Sequence, residues 1–162
     1  MRLYIKQKVF SWKDKFYVKD ENGNDRYYVE GEFFSLGKKL HIYDMNSNEL
    51  AFIHQKVMSF LPRFYVYIGG TQVAEIVKEF TIFRNKYRID GLGWEVDGDF
   101  MDHDYVITHM GRPIVSISKE WFTWGDSYML DIADNVDPVN ALSVVLAIDC
   151  VIEMQRRSSA TN

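Results

Sequence analysis

The sequence has few of the features that mark secreted, disulfide-bonded or nucleic-acid-binding proteins. Its single cysteine, Cys150, excludes an intramolecular disulfide bond. Its formal net charge of -4 argues against nucleic-acid binding, because such binding needs a basic surface that releases counterions. Residues 1–15 alternate charged with apolar residues, whereas a signal peptide has a continuous apolar core. We therefore expect a cytoplasmic protein that does not bind nucleic acid.

Motifs for catalysis, cofactors and lipid attachment are also missing. No glycine-rich phosphate loop precedes a helix, and the chain has no Gly-x-Ser-x-Gly or Cys-x-x-Cys motif. Neither a Met-Gly start nor a C-terminal CaaX box is present. The four histidines show no metal-ligand spacing; they are His41, His54, His103 and His109. We predict a non-catalytic protein with no cofactor and no bound metal.

What the sequence does have is a dense pattern of short apolar runs with a period of two, which is typical of strands with one buried face. Aromatic residues make up 15% of the chain, and they favour strands. Turn signals separate the runs at residues 22–23, 46–48, 69–70, 97–98 and 111–113. A chain of 162 residues suits a single domain. The pattern predicts a mainly β domain of about a dozen strands.

One apolar segment near the C-terminus breaks this pattern. Asp137 and Pro138 form a helix start, with Asp137 as the N-cap, and the apolar residues that follow surround the helix axis on all sides. From Val139 to Met154 the helix is about 24 Å long, whereas a bilayer core needs about 30 Å. A helix that is apolar all round must be enclosed. A barrel of about twelve strands has a lumen that such a helix would fill.

We therefore predict a closed barrel of about twelve antiparallel strands that encloses a central hydrophobic C-terminal helix. The barrel domain covers residues 1–155, with the helix at about 138–154 and a short disordered tail at 156–162. No transmembrane segment is expected. Asp149 lies within the helix, where an unpaired buried charge is very costly. We predict that Asp149 is a buried structural residue that bonds to the barrel wall.

Two segments resemble the LURP-one-related family. Residues 11–56 contain a Phe-Tyr-Val-x-Asp-x-x-Gly hairpin, beginning at Phe16, and then a Phe-Ser-Leu-Gly-Lys-Lys-Leu strand. The chain closes with a Tyr-x-Leu-Asp-Ile strand and an apolar helix that carries Asp149, as that family does. The resemblance implies the fold of the tubby C-terminal domain and the phospholipid scramblases, a closed barrel around a hydrophobic helix. It also implies interaction with phosphoinositides or other membrane lipids, without an established enzymatic activity.

The segment from Thr81 to Gly91 holds the main basic feature. On a strand, Arg84, Lys86 and Arg88 share one face at spacings of about 6.6 Å. Such a row suits a phosphorylated lipid headgroup, because several donors can share its oxygens. The alternative is a solvated outer face whose charges discourage edge pairing. We take the row as a candidate anion-binding site.

Two acidic runs are candidate cation sites. Residues 97–104 hold four aspartates and one histidine, a density that suits calcium, but the spacing does not match the EF-hand, and an acidic hairpin loop is the stronger expectation. The second run is Asp131, Asp134 and Asp137. It lies where scramblases carry a calcium-binding segment, but that motif is not matched, and we expect Asp137 to cap the helix.

These observations leave two functions open. The first is a barrel that binds anionic membrane lipid headgroups, of the phosphoinositide type, through Arg84, Lys86 and Arg88. The second is a protein-interaction scaffold with no lipid ligand, in which Trp121, Phe122 and Trp124 contact a protein partner.

Overall fold

The computed structural model of the chain describes residues 1–6, 15–32, 35–79, 86–100, 102–122 and 125–160; of Lys86, Trp121, Phe122 and Asp126 it describes the backbone alone. Within these ranges the chain forms twelve strands and then one helix. In chain order they are β1 (Arg2–Lys6), β2 (Phe16–Asp20), β3 (Asp25–Gly31), β4 (Lys39–Asp44), β5 (Glu49–Gln55), β6 (Arg63–Ile68), β7 (Thr71–Glu79), β8 (Lys86–Asp90), β9 (Trp94–Asp99), β10 (Asp104–His109), β11 (Arg112–Phe122), β12 (Gly125–Ile132) and α1 (Pro138–Ala160).

The described strands form a closed antiparallel barrel. Each strand pairs with its neighbours in the sequence, and β1 closes the barrel by pairing with both β2 and β12. At this junction Leu3 lies opposite Asp20 on one side and Leu130 on the other. Closure removes the unpaired edges that open sheets expose to other chains. The predicted fold class is confirmed.

Side chains alternate between the inside and the outside of the barrel. In β6, for example, Phe64 and Val66 are fully buried, while Tyr65 and Tyr67 lie half-buried on the outer face. This alternation follows from the period of two in a strand. The inward residues of the strands and the buried residues of α1 form one continuous apolar core.

The helix α1 lies inside the barrel. Every residue from Ala141 to Ile152 is buried, and α1 lies nearest β5, β6 and β7. The predicted N-cap is confirmed, because Asp137 Oδ1 accepts hydrogen bonds from the backbone N–H groups of Val139 and Asn140, both at 2.9 Å. By length and composition alone α1 could cross a membrane. Here the barrel wall takes the place of the lipid around its apolar surface.

The helix ends later than predicted. It continues to Ala160, so residues 156–160 are helical where the sequence predicts a disordered tail, and residues 161–162 lie outside the described part. Two contacts stabilise the added turns: Arg157 Nε donates to Glu153 Oε1 at 2.7 Å, and Ser158 Oγ donates to the carbonyl oxygen of Gln155 at 2.9 Å. Contacts between residues three or four positions apart stabilise a helix even where its sequence lacks apolar periodicity.

The barrel has two different ends. We call the end at which α1 begins the cap end; it holds the connections 21–24, 45–48, 69–70, 91–93 and 110–111. We call the end at which α1 leaves the barrel the exit end; it holds the connection 56–62, the turn that leads into β4 at residues 35–38, and the connection between β9 and β10. Chain direction fixes this division, because successive strands in the barrel run in opposite directions.

One predicted turn is wrong. Asp97 and Gly98 lie inside β9, and the chain turns only after Asp99. Gly98 has a φ of 137°, and a Cβ atom at this position would lie 2.6 Å from the Cα atom of Tyr105 in β10. The glycine therefore permits β9 and β10 to approach each other closely. In the sequence, a glycine needed for this reason looks the same as a glycine in a turn.

Candidate functional site

A buried polar cluster surrounds Asp149 near the exit end. The Asp149 side chain is in the core, with 4% of the residue exposed. Its Oδ1 lies 3.1 Å from Nε2 of His103 in the β9–β10 connection, and its Oδ2 accepts a hydrogen bond from the Tyr128 hydroxyl of β12. The His103 and Tyr128 rings stack with their centroids 4.3 Å apart. Asp149 thus joins the helix to two parts of the barrel wall, which satisfies its buried oxygens.

Phenol groups extend this cluster toward the end of α1. Tyr87 donates a hydrogen bond to Gln155 Oε1 at 2.8 Å, and burial, together with the charge of Asp149, raises the pKa of Tyr87 to about 12. Burial and the same charge hold the pKa values of Tyr105 and Tyr128 well above their ordinary range. These phenols remain protonated at neutral pH. The hydroxyls of Tyr87 and Tyr128 donate hydrogen bonds, whereas the buried Tyr105 hydroxyl has no hydrogen-bond partner among the described residues. The cluster therefore suits a role in positioning α1.

Inward positions also become polar where the strands reach the exit end. Lys38 precedes β4 and lies on the same inward side of the barrel as Leu40. Burial lowers the pKa of Lys38 to about 8. The nearby thiol of Cys150 is fully buried, and burial raises its pKa well above the usual range. A protonated, buried thiol packs as a small apolar group, not as a nucleophile. Lys78, near the exit end of β7, also lies on the inward side of the barrel, two residues after the buried Ile76.

The β5–β6 connection, residues 56–62, displays the most exposed large apolar side chains of the described chain. Met58 and Phe60 have relative exposures of 102% and 108%. The N–H group of Lys56 donates to the carbonyl oxygen of Arg63 at 2.9 Å, which closes the base of the loop. Met58 has a φ of 59°, a conformation that costs energy in any residue except glycine. The loop is thus held in a defined shape that presents two large apolar groups to solvent.

Two pockets flank α1 at the exit end. The loop pocket has a volume of about 320 Å³ and lies between the 56–62 connection and the helix end; Lys56, Lys78 and Met154 are among its walls, and its described walls include no carboxylate. The rim pocket has a volume of about 290 Å³, and its walls include Lys38 and Arg157. The exit end therefore combines exposed apolar side chains with basic pockets.

The predicted basic row is described only at Arg88. Arg84 lies outside the described residues, and of Lys86 only the backbone is described, at the start of β8. Arg88 Nε lies 2.9 Å from Asp90 Oδ1, and its guanidinium lies 3.6 Å from Glu79. Glu95 of β9 is its partner across the strands. Neighbouring carboxylates thus offset the charge of Arg88, which lowers its value as an anion ligand.

The acidic runs are used within the fold. Residues 97–104 contribute to β9, the following connection and β10, and they include the buried Phe100 and His103. Asp131 pairs with Arg2 at 3.3 Å, and Asp137 caps α1. In the part of the chain that the structure describes, no three His, Cys, Asp or Glu side chains are grouped so that they could hold a metal ion.

A match to a sequence model shows which protein family the chain belongs to. The sequence model of the LURP-one-related family matches residues 1–149, which include every strand and the first half of α1. The chain belongs to the LURP-one-related family. It is also 40% identical over 152 residues to a Bacillus subtilis (strain 168) protein named "Uncharacterized protein YxjI", and the alignment covers 94% of each chain. The resemblance predicted from the hairpin and the terminal helix is confirmed.

A solved structure shares the fold of this LURP-one-related chain. The X-ray structure of an Arabidopsis thaliana protein superposes with a TM-score of 0.66 at 16% identity, over 91% of this chain and 88% of that one. At this identity the similarity shows the fold alone. Membership of the LURP-one-related family does not by itself assign a catalytic function or a ligand, so both must be inferred from the structure.

Sequence reasoning missed two surface features of this LURP-one-related barrel. One is the exposed pair Met58 and Phe60, whose spacing of two residues in the sequence is also typical of the buried face of a strand. The other is an aromatic belt on the outer face of β2 to β6, where neighbouring rings lie 4.8–6.2 Å apart; its members are Tyr17, Tyr28, Tyr43, His41, Phe52 and Tyr67. The predicted aromatic patch differs from it: the side chains of Trp121 and Phe122, and Trp124 as a whole, lie outside the described part.

Proposed function

We propose that the protein is a non-catalytic interaction module that binds anionic membrane lipids, with the exit end of the barrel facing the membrane. The observation that carries this proposal is the exposure of Met58 and Phe60 beside the lysines of the loop pocket. Apolar side chains that protrude from a basic surface are the pattern that peripheral membrane proteins use at the headgroup layer. We also propose a cytoplasmic location, which would place this end against an anionic membrane surface.

The energies of the two kinds of contact favour this reading. Complete burial of a Phe or Met side chain in an apolar medium stabilises by about 1.5–3 kcal/mol. A Lys or Arg near an anionic surface adds about 1 kcal/mol. Lys56 and Lys78 flank the two apolar side chains and supply this second contribution. The combined gain is enough for reversible membrane association even though each contact alone is weak.

We keep the predicted row of Arg84, Lys86 and Arg88 in this proposal as a smaller contribution to lipid binding. Lys86 begins β8 at the exit end, the end that also carries Met58 and Phe60. Arg88 lies further along β8 among carboxylates and would contribute least. We therefore place the centre of the lipid-binding surface at the loop pocket and treat the row as its flank.

Co-sedimentation with vesicles tests the proposal. We expect the protein to pellet with phosphatidylcholine vesicles that contain phosphatidylserine at low salt, and to remain in solution with pure phosphatidylcholine. Each of Phe60→Ser and Met58→Ser should weaken binding about tenfold or more, because each removes roughly 1.5–3 kcal/mol of apolar burial. The matched control is Met110→Ser, which removes a methionine that is 88% exposed at the cap end. Binding that is absent, or equally weakened by the control, would remove the proposal.

The aromatic belt favours a second candidate function, a protein-interaction scaffold without a lipid ligand. Tyr and Phe are enriched at the centres of interfaces, and Tyr17 at one end of the belt is exposed. Lys15 also lies over the Tyr28 ring, 3.5 Å from its centroid. A pull-down that is lost in Tyr17→Ser and Phe52→Ser but retained in Phe60→Ser would favour the scaffold. Vesicle binding with the opposite dependence favours the lipid.

A further inference from the structure

The rim pocket has the composition of an anion site. Three cationic side chains and one carboxylate line it: Lys38 and Lys39 at the start of β4, Arg157 at the end of α1, and Glu32. Its volume of about 290 Å³ is large enough for a small charged group. The cations come from elements that are distant in the sequence, so the fold creates the grouping.

The backbone that carries Lys38 is fixed on both sides. Its N–H group donates to Gln55 Oε1 at 2.9 Å, and its carbonyl oxygen accepts from the N–H group of Gln55 at 2.8 Å. The preceding Gly37 has a φ of 81°, and a Cβ atom there would lie 2.8 Å from Val57 Cγ1. Ser35 Oγ donates to the carbonyl oxygen of Gly37 at 2.7 Å. The backbone of the turn is therefore held in place, so the point from which the Lys38 side chain extends changes little when an anion binds.

Two carboxylates belong to the same surroundings. Glu32 Oε2 lies 2.9 Å from the Lys39 ammonium, and its Oε1 lies 3.0 Å from His41 Nε2. Glu153 lies 2.7 Å from Arg157. Three cations thus face two carboxylates. Lys38 lies deepest of the three, and burial disfavours its charged form, as the lowering of its pKa shows. An anion in the pocket would restore part of the stabilisation that the ammonium loses by leaving water.

We propose that the rim pocket binds a phosphate monoester group, through Lys38 with support from Lys39 and Arg157. A monoester carries a charge of about -1.5 to -2 and three acceptor oxygens, which matches several donors of different geometry. A phosphate in a lipid headgroup and a phosphate on a soluble metabolite share this chemistry. For the lipid source the inference rests on the function proposed above, and it specifies which headgroup the exit end would prefer.

The experiment uses the full chain with glycerol 3-phosphate as the soluble probe and with two kinds of vesicle. One kind contains phosphatidic acid, which presents a phosphate monoester, and the other contains phosphatidylserine, which does not. The test variant is Lys38→Met, with Lys38→Arg as the conservative variant. The control is Arg112→Gln, which removes an exposed cation at the cap end. Urea unfolding confirms that each variant is folded before binding is measured.

We expect glycerol 3-phosphate to raise the melting temperature of the wild type and of Arg112→Gln. Lys38→Met should bind at least about tenfold more weakly, the loss typical of a charged hydrogen bond, and Lys38→Arg should recover part of the binding. Phosphatidic acid should be preferred over phosphatidylserine by the wild type and by Arg112→Gln, and Lys38→Met should lose this preference. Together these results would support the pocket.

Two outcomes separate this inference from the proposed function. Binding of phosphatidylserine vesicles without any effect of glycerol 3-phosphate would overturn the phosphate site and leave membrane binding intact. Binding of glycerol 3-phosphate that depends on Lys38, without any vesicle binding, would support the site for a soluble ligand and overturn the membrane function. An effect of glycerol 3-phosphate that is equal in Lys38→Met also overturns the site.

Discussion

The two ends of the barrel differ in their strand register and in the polarity of their inward positions. At the cap end the connections are short, and Asp20 and Asp44 use Oδ1 to accept two backbone N–H groups each within their own turns. All four register shifts in the described pairs also lie near this end, at Val18/Lys19, Ile42/Tyr43, Val66/Tyr67 and Ile107/Thr108. Bulges at these positions increase local twist and bend the strands. The cap end thus favours closure of the barrel, and its turns at Asp20 and Asp44 satisfy their own backbone N–H groups.

The exit end carries chemistry that closure does not require. Its inward positions hold ionisable or polar groups around α1, such as Lys38 and Asp149, and the 56–62 connection exposes Met58 and Phe60 to water. Buried polar groups cost stability unless they are paired, and large exposed apolar groups are typical of interaction surfaces. A difference of this kind within one small barrel agrees with the proposal that binding takes place at the exit end.

The largest expected effect on stability is the loss of a buried polar group near the exit end, compared with the loss of one nearer the cap end. Asp149→Leu should destabilise the protein by about 3–5 kcal/mol, because it leaves the buried Tyr128 hydroxyl and His103 without their shared acceptor. Ser143→Ala, at a buried hydroxyl nearer the cap end that bonds to the Val139 carbonyl oxygen within α1, should cost less than about 1 kcal/mol. Urea unfolding measures both. A variant Asp149→Leu with wild-type stability would show that this carboxylate does not hold the helix.

A smaller effect compares glycines at the two ends. Gly91→Ala, at the cap end, places a Cβ atom 2.4 Å from the Val73 carbonyl oxygen at a φ of 104°, and we expect a loss of about 2–3 kcal/mol. Gly37→Ala, at the exit end, meets the Val57 side chain, which is partly exposed and can move. Its cost should be about 1 kcal/mol. Thermal unfolding of the two variants would contradict the contrast if Gly37→Ala were the more damaging.

The smallest effect is a gain in stability. Lys38 has a pKa of about 8 in the folded protein against an ordinary value of 10.5. The unfolded chain therefore binds this proton more tightly, and stability rises as the pH increases from about 8 to the unfolded value. Lys38→Met should be more stable than the wild type by about 1–2 kcal/mol at neutral pH, after allowance for solvent screening of a half-buried group. The gain should disappear above about pH 10.5, as urea titrations at several pH values would show.

Much of the barrel can be predicted from the sequence, because its signals are local. The period of two, the turn residues and the Asp137 cap each report on a few neighbouring positions, and the all-round apolarity of α1 requires an enclosure. The helix end at Ala160 was missed because it depends on side-chain pairs such as Arg157 with Glu153 and not on apolar spacing. Gly98 was misread because the reason for its glycine lies in β10, across the strand pair.

The candidate site could be predicted only in part. Asp149 is conspicuous in an apolar helix, but its partner His103 lies 46 residues away, and no pattern in the sequence joins them. Met58 and Phe60 alternate like core residues, and only the connection between β5 and β6 exposes them. Lys38, Lys39 and Arg157 come together because α1 leaves the barrel beside the start of β4. Grouping of this kind depends on topology, which local patterns do not report.

The most direct test asks which end of the barrel touches a membrane. The native Cys150 is fully buried, so a fluorescent label can be attached selectively to Phe60→Cys at the exit end or to Met110→Cys at the cap end. Because Phe60 itself is a proposed membrane contact, a second exit-end label is placed at Leu36→Cys, a position that is 87% exposed and leaves Met58 and Phe60 in place. The labelled proteins are bound to phosphatidylserine vesicles that carry nitroxide-labelled lipids. If the exit end faces the membrane, the lipids quench the labels at positions 36 and 60 and leave the label at position 110 unchanged. Equal quenching at both ends, or stronger quenching at position 110, would contradict it.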